Sequence, residues 1–455
     1  MEYIKRFVAD VLQRPSLYFF VFLIIFTFDR HHRFEFHPDE KMGPFFSDPA
    51  EYYRYLPDFF IHGANESEQS IRSNKRTIGM AIMYAPSFFV GHLMAKHSGE
   101  PMDGYSWPYQ WTIRWGSIIY CILGLIYSRK SLLLFFREPV VAISLACIFF
   151  GTNLFLYTYG NGEFPHSYLF FLNAAFIYYS LSWIRNKKQG LLILIFFIGG
   201  MITLIRPTAV FIFLVPVLFD VHSLADFIDR LKYFFRKPKI LSLSILVFAI
   251  PLLAQMLIWK RFNGHYIFYS YGNERFFFND PQVVNFLFSF RKGWLVYTPI
   301  MAFSLIGMIQ TKWKLKPFFP LIIIYFTVVV YVLSSWYDWA FGGSFGCRVL
   351  IESYAVFIFA FATFVSWCWY DLRLKSWVKN SLRAVLIIIF YLLIRLNIFQ
   401  TWQSKYVVIH WNGMNKEVYK YVFLKPGLTK EEYKIVDTML TKLDTEKMLR
   451  GERDD

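Results

Sequence analysis

The sequence predicts an all-α polytopic membrane protein with about 11–13 transmembrane helices. The chain of 455 residues is 56% hydrophobic, whereas soluble domains hold roughly 45–50% apolar residues. The excess comes in runs of roughly 20 residues, the length that a helix needs to cross the hydrocarbon core of a bilayer. Alternating segments typical of barrel strands are not evident, so we expect the spans to be helices.

The first span follows a basic N-terminus. Basic residues at positions 5, 6 and 14 precede an apolar run from Leu17 to Phe28, and Asp29 and Arg30 follow it. A cleavable signal peptide would need a small-residue cleavage site after the run. We therefore expect an uncleaved span in the cytoplasmic (inner) membrane, with the N-terminus in the cytoplasm.

The later apolar runs predict the order of the spans. Pro207 and Pro216 interrupt two of the runs, which are therefore expected to be short or broken helices. The runs lie at about 15–28, 77–96, 108–127, 139–159, 167–184, 190–204, 206–219, 240–259, 294–311, 317–334, 348–370 and 381–397. Twelve full crossings that begin inside would also end inside, whereas the tail after 397 is predicted to lie outside. Either one run is therefore re-entrant, or 77–127 holds one or three crossings.

Basic clusters predict the orientation, since short loops rich in Lys and Arg favour the cytoplasmic side. Such clusters lie at 129–130, 185–188, 230–239, 312–316 and 373–383. With these loops inside, 160–166, 260–293, 335–347 and the tail after 397 lie outside. The net charge of +16 fits this pattern, so we expect membrane lipids as partners and no nucleic acid.

This topology predicts a transmembrane domain over 1–397 and a small polar region over 398–455, which is expected to be extracytoplasmic. The first extracytoplasmic loop, 29–76, is long and is expected to carry interfacial helices. A second large loop covers 260–293. The tail shows helical patterning from Thr429 onward.

The first loop holds the candidate catalytic residue, Asp48, in the segment Ser47-Asp48-Pro49. Pro49 suits the first turn of a helix, and Ser47 or Asp48 suits its cap. Tyr52 and Tyr53 follow on this helix. One interpretation gives Asp48 a capping role, and the other gives it a catalytic role at the membrane surface. Asp39-Glu40 is a second acidic candidate, for which a solvated face is the alternative.

Two further candidates lie beside predicted spans. His166 follows Pro165 in a short outside turn, where a histidine is either a satisfied polar group or an acid–base group or ligand. Arg206 precedes Pro207 between apolar runs. An arginine in or near the membrane is costly and usually has a partner, so structural pairing and substrate binding are both open.

Two outside segments carry cations. Arg291-Lys292-Gly293 closes the second large loop, against the positive-inside trend. This basic pair suits either lipid headgroups or the phosphate of a specific lipid substrate. The segment from Trp336 to Arg348 is rich in glycine. Its backbone N–H groups and Arg348 suit an anion, and Trp339 suits stacking on a sugar or an interfacial belt. A tight re-entrant turn is the alternative.

At these segments the chain resembles the GT-C superfamily of membrane glycosyltransferases, which includes protein O-mannosyltransferases and aminoarabinose transferases. It looks most like bacterial members known simply as membrane glycosyltransferases. The similar segments are Ser47-Asp48-Pro49, Gly104-Tyr105-Ser106-Trp107-Pro108-Tyr109-Gln110, Pro165-His166-Ser167, Arg206-Pro207, Arg291-Lys292-Gly293 and the stretch from Trp339 to Arg348.

The resemblance implies a multi-pass cell-envelope enzyme that moves a sugar from a polyprenyl-phosphate donor to an extracytoplasmic acceptor, which could be a glycan, a lipid or a protein. It also implies a catalytic acid in the first loop, here Asp48. Many relatives carry two adjacent acids there, whereas Pro49 follows Asp48. The metal ligands therefore stay unassigned, a divalent cation (Mg²⁺ or Mn²⁺) stays open, and no other cofactor is expected.

The residues support a mechanism independently of the resemblance. A polyprenyl phosphate is a good leaving group, so a single carboxylate that deprotonates the acceptor could suffice. We expect Asp48 to be this base and the anomeric centre to be inverted. The predicted substrate-binding residues are Tyr52, Tyr53, His166, Arg206, Arg291, Lys292, Trp339 and Arg348.

Three other functions stay open. A lipid flippase or transporter would need polar residues near the membrane midplane and often inverted repeats. The predicted spans carry few midplane charges, and no repeat is evident. A ligase or polymerase that moves whole glycans would share the phosphate-binding residues. A scaffold without enzyme activity would need neither the first-loop acid nor the glycine-rich segment.

Overall fold

The computed structural model describes residues 13–31, 47–444, 446–447 and 450–453. Regular secondary structure in these ranges is helical, apart from an isolated antiparallel bridge between Phe276 and Trp336. The prediction of an all-helical chain is therefore confirmed for this part of the protein.

Within these ranges, five helices are long and apolar enough to cross a membrane, and each coincides with a predicted span. They are His166–Asn186, Pro238–Asn263, Lys316–Ser334, Arg348–Asp371 and Ser376–Lys405. Shorter apolar helices cover Pro15–Asp29, Glu138–Phe150, Gln189–Ile205 and Pro207–Leu218. By length and composition, these helices are consistent with a helical membrane protein, and the number of 11–13 spans stays a prediction.

The α-helices are named here in chain order. They are α1 (Pro15–His31), α2 (Asp48–Tyr53), α3 (Tyr55–Phe60), α4 (Glu68–Arg72), α5 (Gly79–Ser98), α6 (Trp107–Leu132), α7 (Glu138–Phe150), α8 (Leu156–Tyr159), α9 (His166–Asn186), α10 (Gln189–Ile205), α11 (Leu214–Leu218), α12 (Leu224–Phe235), α13 (Pro238–Asn263), α14 (Val283–Phe288), α15 (Trp294–Tyr297), α16 (Ala302–Lys314), α17 (Phe319–Ser334), α18 (Tyr354–Ser366), α19 (Ser376–Lys405), α20 (Lys416–Val422) and α21 (Lys430–Met439). Short 3₁₀ segments cover Pro207–Phe213, Pro299–Met301, Lys316–Phe318 and Arg348–Ser353, and a π-helical turn covers Trp367–Asp371.

The helices belong to two compact units. The first unit comprises Met1–Phe20, Arg129–Leu156 and Asn273–Asp455, and the second comprises Val21–Ser128 and Tyr157–Gly272. Helices α1, α6 and α8 each contribute residues to both units. The predicted boundary at residue 397 lies within α19 and stays a prediction.

In the second unit, α10 packs against α9 and α13. Gly200 allows the close approach to α13, because a Cβ atom at this position would lie 2.4 Å from the carbonyl oxygen of Phe248. Helix α10 ends at Ile205, and Arg206 takes an extended conformation before the 3₁₀ turn that starts at Pro207. The predicted break at this proline is therefore confirmed.

In the first unit, α18 is buried along its length and packs against α7 and α16. The amide of Asn397 on α19 donates to the carbonyl oxygens of Phe150 (2.9 Å) and Thr152 (2.8 Å). These carbonyls lie at the C-terminal end of α7, where the helix itself offers no partner. The bonds therefore fix α19 to α7.

The run predicted at 294–311 is one span in the sequence but several pieces in the structure. Helix α15 stops at Tyr297, and a 3₁₀ turn at Pro299 separates it from α16. Proline has no N–H to continue the helical bonding. The helical patterning from Thr429 is confirmed, since Thr429 and Glu432 form a capping box at the start of α21.

Candidate functional site

Asp48 is the first residue of α2, and its carboxylate is held by an arginine of the same loop. Nη2 of Arg76 lies 2.6 Å from Oδ1 of Asp48, and Nε lies 3.2 Å from Oε2 of Glu51. Ser47 occupies the cap position with φ 56° and makes no side-chain cap bond. Asp48 therefore takes part in a three-residue ion cluster, whichever role it has at the helix start.

Aromatic rings enclose this cluster. The guanidinium of Arg76 lies 5.6 Å from the ring centre of Tyr52 and 5.5 Å from that of Tyr271. Arg76 also donates to the hydroxyl of Tyr271 at 3.0 Å. Burial raises the pKa of Tyr52, against the opposing effect of Arg76. Tyr52 is therefore a neutral phenol at physiological pH, available to pack or to form hydrogen bonds.

Backbone contacts fix the position of Arg76. The hydroxyl of Tyr55 donates to the carbonyl oxygen of Arg76 at 2.8 Å, and the backbone N–H of Arg76 donates to Oδ1 of Asn74 at 3.0 Å. Asn74 in turn donates to the carbonyl oxygen of Glu51 at 2.7 Å. Sequence reasoning missed Arg76. Its signal was a basic pair, Lys75-Arg76, in a loop predicted to lie outside the membrane, the same anomaly that singled out Arg291-Lys292.

Tyr53 is fully buried and lies on another side of α2. Its hydroxyl donates to the carbonyl oxygen of Gly104, and its ring centre is 5.8 Å from that of Tyr105. Tyr53 therefore joins the first loop to the segment around Gly104. These are two of the segments on which the family resemblance rests.

Arg206 lies at the break after α10, close to the start of α5. There Thr77 donates to the carbonyl oxygen of Leu204. The charge of Arg206 is near enough to lower the pKa of Tyr52, as a minor cause beside burial. Among the predicted residues of the second unit, the structure thus brings together Asp48, Tyr52 and Arg206.

His166 is the first residue of α9 and is fully buried. Its ring packs edge-on against Tyr157 at 4.8 Å and stacks on Phe164 at 6.3 Å. In the same turn, Glu163 is 3% exposed and its Oε1 lies 2.9 Å from Nε of Arg114. Burial raises the pKa of Glu163 despite this ion pair. Sequence reasoning also missed this buried carboxylate.

The predicted residues of the first unit form a second cluster. Nη2 of Arg291 lies 3.8 Å from Oδ1 of Asp338, and its guanidinium lies 5.5 Å from the ring centre of Trp339. The other oxygen of Asp338 accepts from the N–H of Gly342 at 2.6 Å. Burial raises the pKa of Asp338, and Arg291 opposes this effect. Asp338 was not among the predicted site residues.

Lys292 is 2% exposed and donates to the carbonyl oxygens of Ser344 and Trp411. Burial lowers its pKa to about 7, and the charges of Arg348 and Arg291 add to this effect. The side chains of Arg291, Lys292 and Arg348 therefore lie near the buried carboxylate of Asp338. The positive charges of the two arginines oppose that of Lys292, and a bound anion would lessen this repulsion.

The glycine-rich segment folds tightly around this cluster. Gly346 has φ 59°, and a Cβ atom there would lie 2.7 Å from Cβ of Tyr297. Ser344 donates its N–H to the carbonyl oxygen of Trp411 at 2.9 Å, so the tail segment around Trp411 is held against the loop. Arg348 starts the 3₁₀ turn that follows. The turn is close-packed at Gly346, and whether it is re-entrant in the membrane stays a prediction.

Some buried polar atoms of the first unit have no hydrogen-bond partner within the described ranges. Among them are the indole N–H of Trp339, a donor, and Oδ1 of Asn412, an acceptor. Both residues are more than nine-tenths buried. A sugar hydroxyl can donate and accept, so a sugar could satisfy both kinds of atom.

The described residues contain no group of three or more His, Cys, Asp or Glu side chains that could hold a metal ion. The acidic candidate Asp39-Glu40 lies outside the described residues. No protein-family model matches this chain, and no curated protein matches it either.

Proposed function

We propose that the protein is a glycosyltransferase that moves a sugar from a polyprenyl-phosphate donor to an acceptor at the extracytoplasmic membrane face. The observation that carries this proposal is the cluster of Arg291, Lys292 and Arg348 near the buried carboxylate of Asp338. Burying positive charges close to one another is costly. A phosphate ligand would offset that cost, and the indole of Trp339 beside Arg291 suits the attached sugar.

The chemistry requires no strong acid. The acceptor oxygen forms a bond to the anomeric carbon while the bond from that carbon to the phosphate oxygen breaks. The electron pair of the broken bond leaves with polyprenyl phosphate, whose charge the three cations stabilise. Attack opposite the phosphate inverts the anomeric centre.

Asp48 keeps the assignment as general base, which accepts the proton of the acceptor hydroxyl. Its ion pair with Arg76 favours the ionised carboxylate, the form that a base needs. Arg76 then acts as a positioning residue. Tyr52, Tyr53, His166 and Arg206 stay proposed substrate-binding residues.

The test is turnover of synthetic polyprenyl-phosphate sugars by the full-length protein in nanodiscs. We expect the wild type to release polyprenyl phosphate. Asp48→Asn should still bind the donor but lose about 100-fold or more in turnover, the usual contribution of a general base.

Glu51→Gln is the matched control, because Glu51 is a carboxylate of the same ion cluster. It should cost much less turnover than Asp48→Asn. Equal losses in the two variants would show that the ion cluster matters structurally and that Asp48 is not the base. If the wild type neither binds nor consumes any such donor, the transferase proposal is wrong.

The same assay separates the open alternatives. Transfer of a whole glycan would add the mass of several sugars to the product in one step. Movement of the donor lipid across the bilayer without release of polyprenyl phosphate would assign the protein as a flippase.

A further inference from the structure

Helix α12 is a short amphipathic helix that the proposed reaction does not use. It has 12 residues and begins with a capping box between Ser223 and Asp226. A helix of this length spans about 18 Å, too short for a hydrocarbon core of about 30 Å. It therefore does not cross the membrane.

The position of α12 in the chain determines its depth in the membrane. Helix α12 ends at Phe235, and α13, which is long and apolar enough to cross a membrane, begins at Pro238. Within the apolar stretch of α13, 17% of the residues are buried inside the protein. Most of this helix is therefore free to contact lipid. Helix α12 must then lie at the membrane boundary where α13 begins.

One face of α12 exposes an apolar stripe. Leu224 is 73% exposed, Ile228 42% and Phe235 70%. With 3.6 residues per turn, these three side chains fall within about 40° of one another around the helix. An apolar stripe on a helix at this depth is typical of helices that lie in the membrane interface.

Another side of α12 is held by the second unit. Phe234 stacks on Trp183 of α9 with ring centres 5.4 Å apart. Arg230 donates to the carbonyl oxygens of Pro216 (2.8 Å) and Phe219 (3.0 Å). Helix α12 is therefore packed on the second unit, and its apolar stripe is the face that stays exposed.

The surroundings of α12 are basic. The cations of this region are Arg185, Lys187, Lys188, Arg230, Lys232, Arg236, Lys237 and Lys239, against the acids Asp220, Asp226 and Asp229. Each acid has a local role: Asp220 accepts from His222 (3.1 Å), Asp229 pairs with Lys232 (3.3 Å), and Asp226 caps α12.

Two lysines of this region lie over aromatic rings. The ammonium groups of Lys187 and Lys237 lie 5.0 Å and 5.6 Å from the ring centre of Tyr233. Among the described residues, no carboxylate forms an ion pair with either lysine. Burial and the charge of Arg230 lower the pKa of Lys187. A phosphate group would relieve this excess of positive charge.

We propose that α12 lies in the membrane interface with its apolar stripe among the acyl chains, and that Lys187 and Lys237 bind the phosphate of an anionic phospholipid. Basic residues beside an amphipathic helix attract anionic headgroups. This lipid site is independent of the proposed transferase reaction.

The first test measures binding of fluorescent phosphatidylglycerol to the full-length protein in detergent. Lys187→Gln with Lys237→Gln should weaken binding by about fivefold for each lysine, the effect of one basic residue near an anionic surface. The matched control is Lys260→Gln with Lys405→Gln, two lysines that lie over Tyr266 (5.4 Å) and Tyr406 (5.6 Å) elsewhere. This control should bind as the wild type does.

Equal weakening in both double variants would overturn the site, because binding would then follow total charge. Phosphatidylcholine should not compete with the bound lipid, since its headgroup is zwitterionic. Full displacement by low-millimolar inorganic phosphate would assign a soluble anion instead of a lipid.

The second test measures the depth of α12 in liposomes by spin labels at Ile228→Cys and Asp229→Cys. The four native cysteines are buried and should stay unlabelled. A label at 228 should collide mainly with dissolved oxygen, which concentrates in lipid, and a label at 229 mainly with a water-soluble nickel chelate. A water-exposed label at 228 would overturn the interfacial placement.

Discussion

Lys292 is a buried cation whose surroundings favour an anionic ligand. Its ammonium is satisfied by two carbonyl oxygens, yet it lies near Arg291 and Arg348, whose charges oppose its own. The protein therefore holds a lysine that is half-charged near neutral pH. An anionic ligand would favour the charged form.

On the proposed function, donor binding should consequently depend on pH. Lys292, with its pKa lowered to about 7, is charged below that pH and neutral above it, while the phosphodiester of the donor stays anionic throughout. We expect donor binding to be about tenfold weaker at pH 8 than at pH 6. Fluorescent donor titrations over this range would measure the dependence.

Two variants assign the titrating group. Lys292→Met keeps the length of the side chain and should flatten the pH profile. His410 also titrates nearby, its pKa lowered by burial and by Lys292, and Asp338 faces the same cluster. If His410→Gln flattens the profile and Lys292→Met does not, the assignment to Lys292 is wrong.

In the second unit, Arg76 is the cation on which the proposed site depends, as Lys292 is in the first unit. It contacts Asp48, Glu51 and Tyr271 at once, which a planar guanidinium can do and a lysine cannot. On the proposed mechanism, Arg76→Met should lower kcat about 100-fold through misplacement of Asp48, with little change in donor KM.

Arg76→Lys should restore part of the kcat lost in Arg76→Met, since one cation would return without the forked geometry. Steady-state kinetics on nanodisc samples would show this pattern. A loss confined to KM would instead place Arg76 in the donor site.

At the scale of elements, the turn before the 3₁₀ segment at Arg348 depends on Gly346. A Cβ atom there would meet Tyr297 at 2.7 Å, and φ is 59°. Gly346→Ala should destabilise the protein by about 1–2 kcal/mol from left-handed backbone strain alone, and the contact with Tyr297 adds to this cost.

A thiol-reactive dye can measure this effect, because the four buried cysteines become reactive when the protein unfolds. Gly427→Ala is the control, since a Cβ atom at that glycine would meet nothing within 4 Å. The unfolding temperature should fall for Gly346→Ala and stay near that of the wild type for Gly427→Ala.

The ion pair of Arg114 and Glu163 links α6 to the turn that precedes α9. Arg114→Met would leave a buried carboxylate without its cation, which typically costs about 3–5 kcal/mol. Adding Glu163→Gln should recover much of this loss, because no buried charge then remains unpaired. The same dye assay would compare the two variants, and a double variant as unstable as Arg114→Met would contradict the explanation.

At the scale of the whole molecule, the orientation in the membrane is the prediction that follows from the basic loops. Helix α13 has 26 residues and spans about 39 Å, enough to cross the bilayer. The positive-inside trend places its Lys239 end in the cytoplasm and its His265 end outside.

A membrane-impermeant maleimide applied to intact cells would test this orientation. It should label His265→Cys and leave Lys239→Cys unlabelled until the membrane is broken. Both positions are exposed, so accessibility to the reagent is decided by the membrane. The reverse pattern would show that the topology is inverted.

The sequence by itself determined the class of protein and several helix ends. Apolar runs predicted the five long apolar helices, since a helix of that length and composition is stable in lipid without tertiary partners. The break at Pro207 and the helix start at Thr429 were also predictable, because a missing N–H and a capping box act within a few residues.

The partners of the charged residues were decided by tertiary structure alone. Arg76 lies 28 residues from Asp48, and the carbonyl of Trp411 lies 119 residues from Lys292. Sequence patterns show which side chains are costly to bury but not which distant group satisfies them. Short-range backbone preferences repeat along the chain, whereas a charge pairs with whatever the fold brings within a few ångströms.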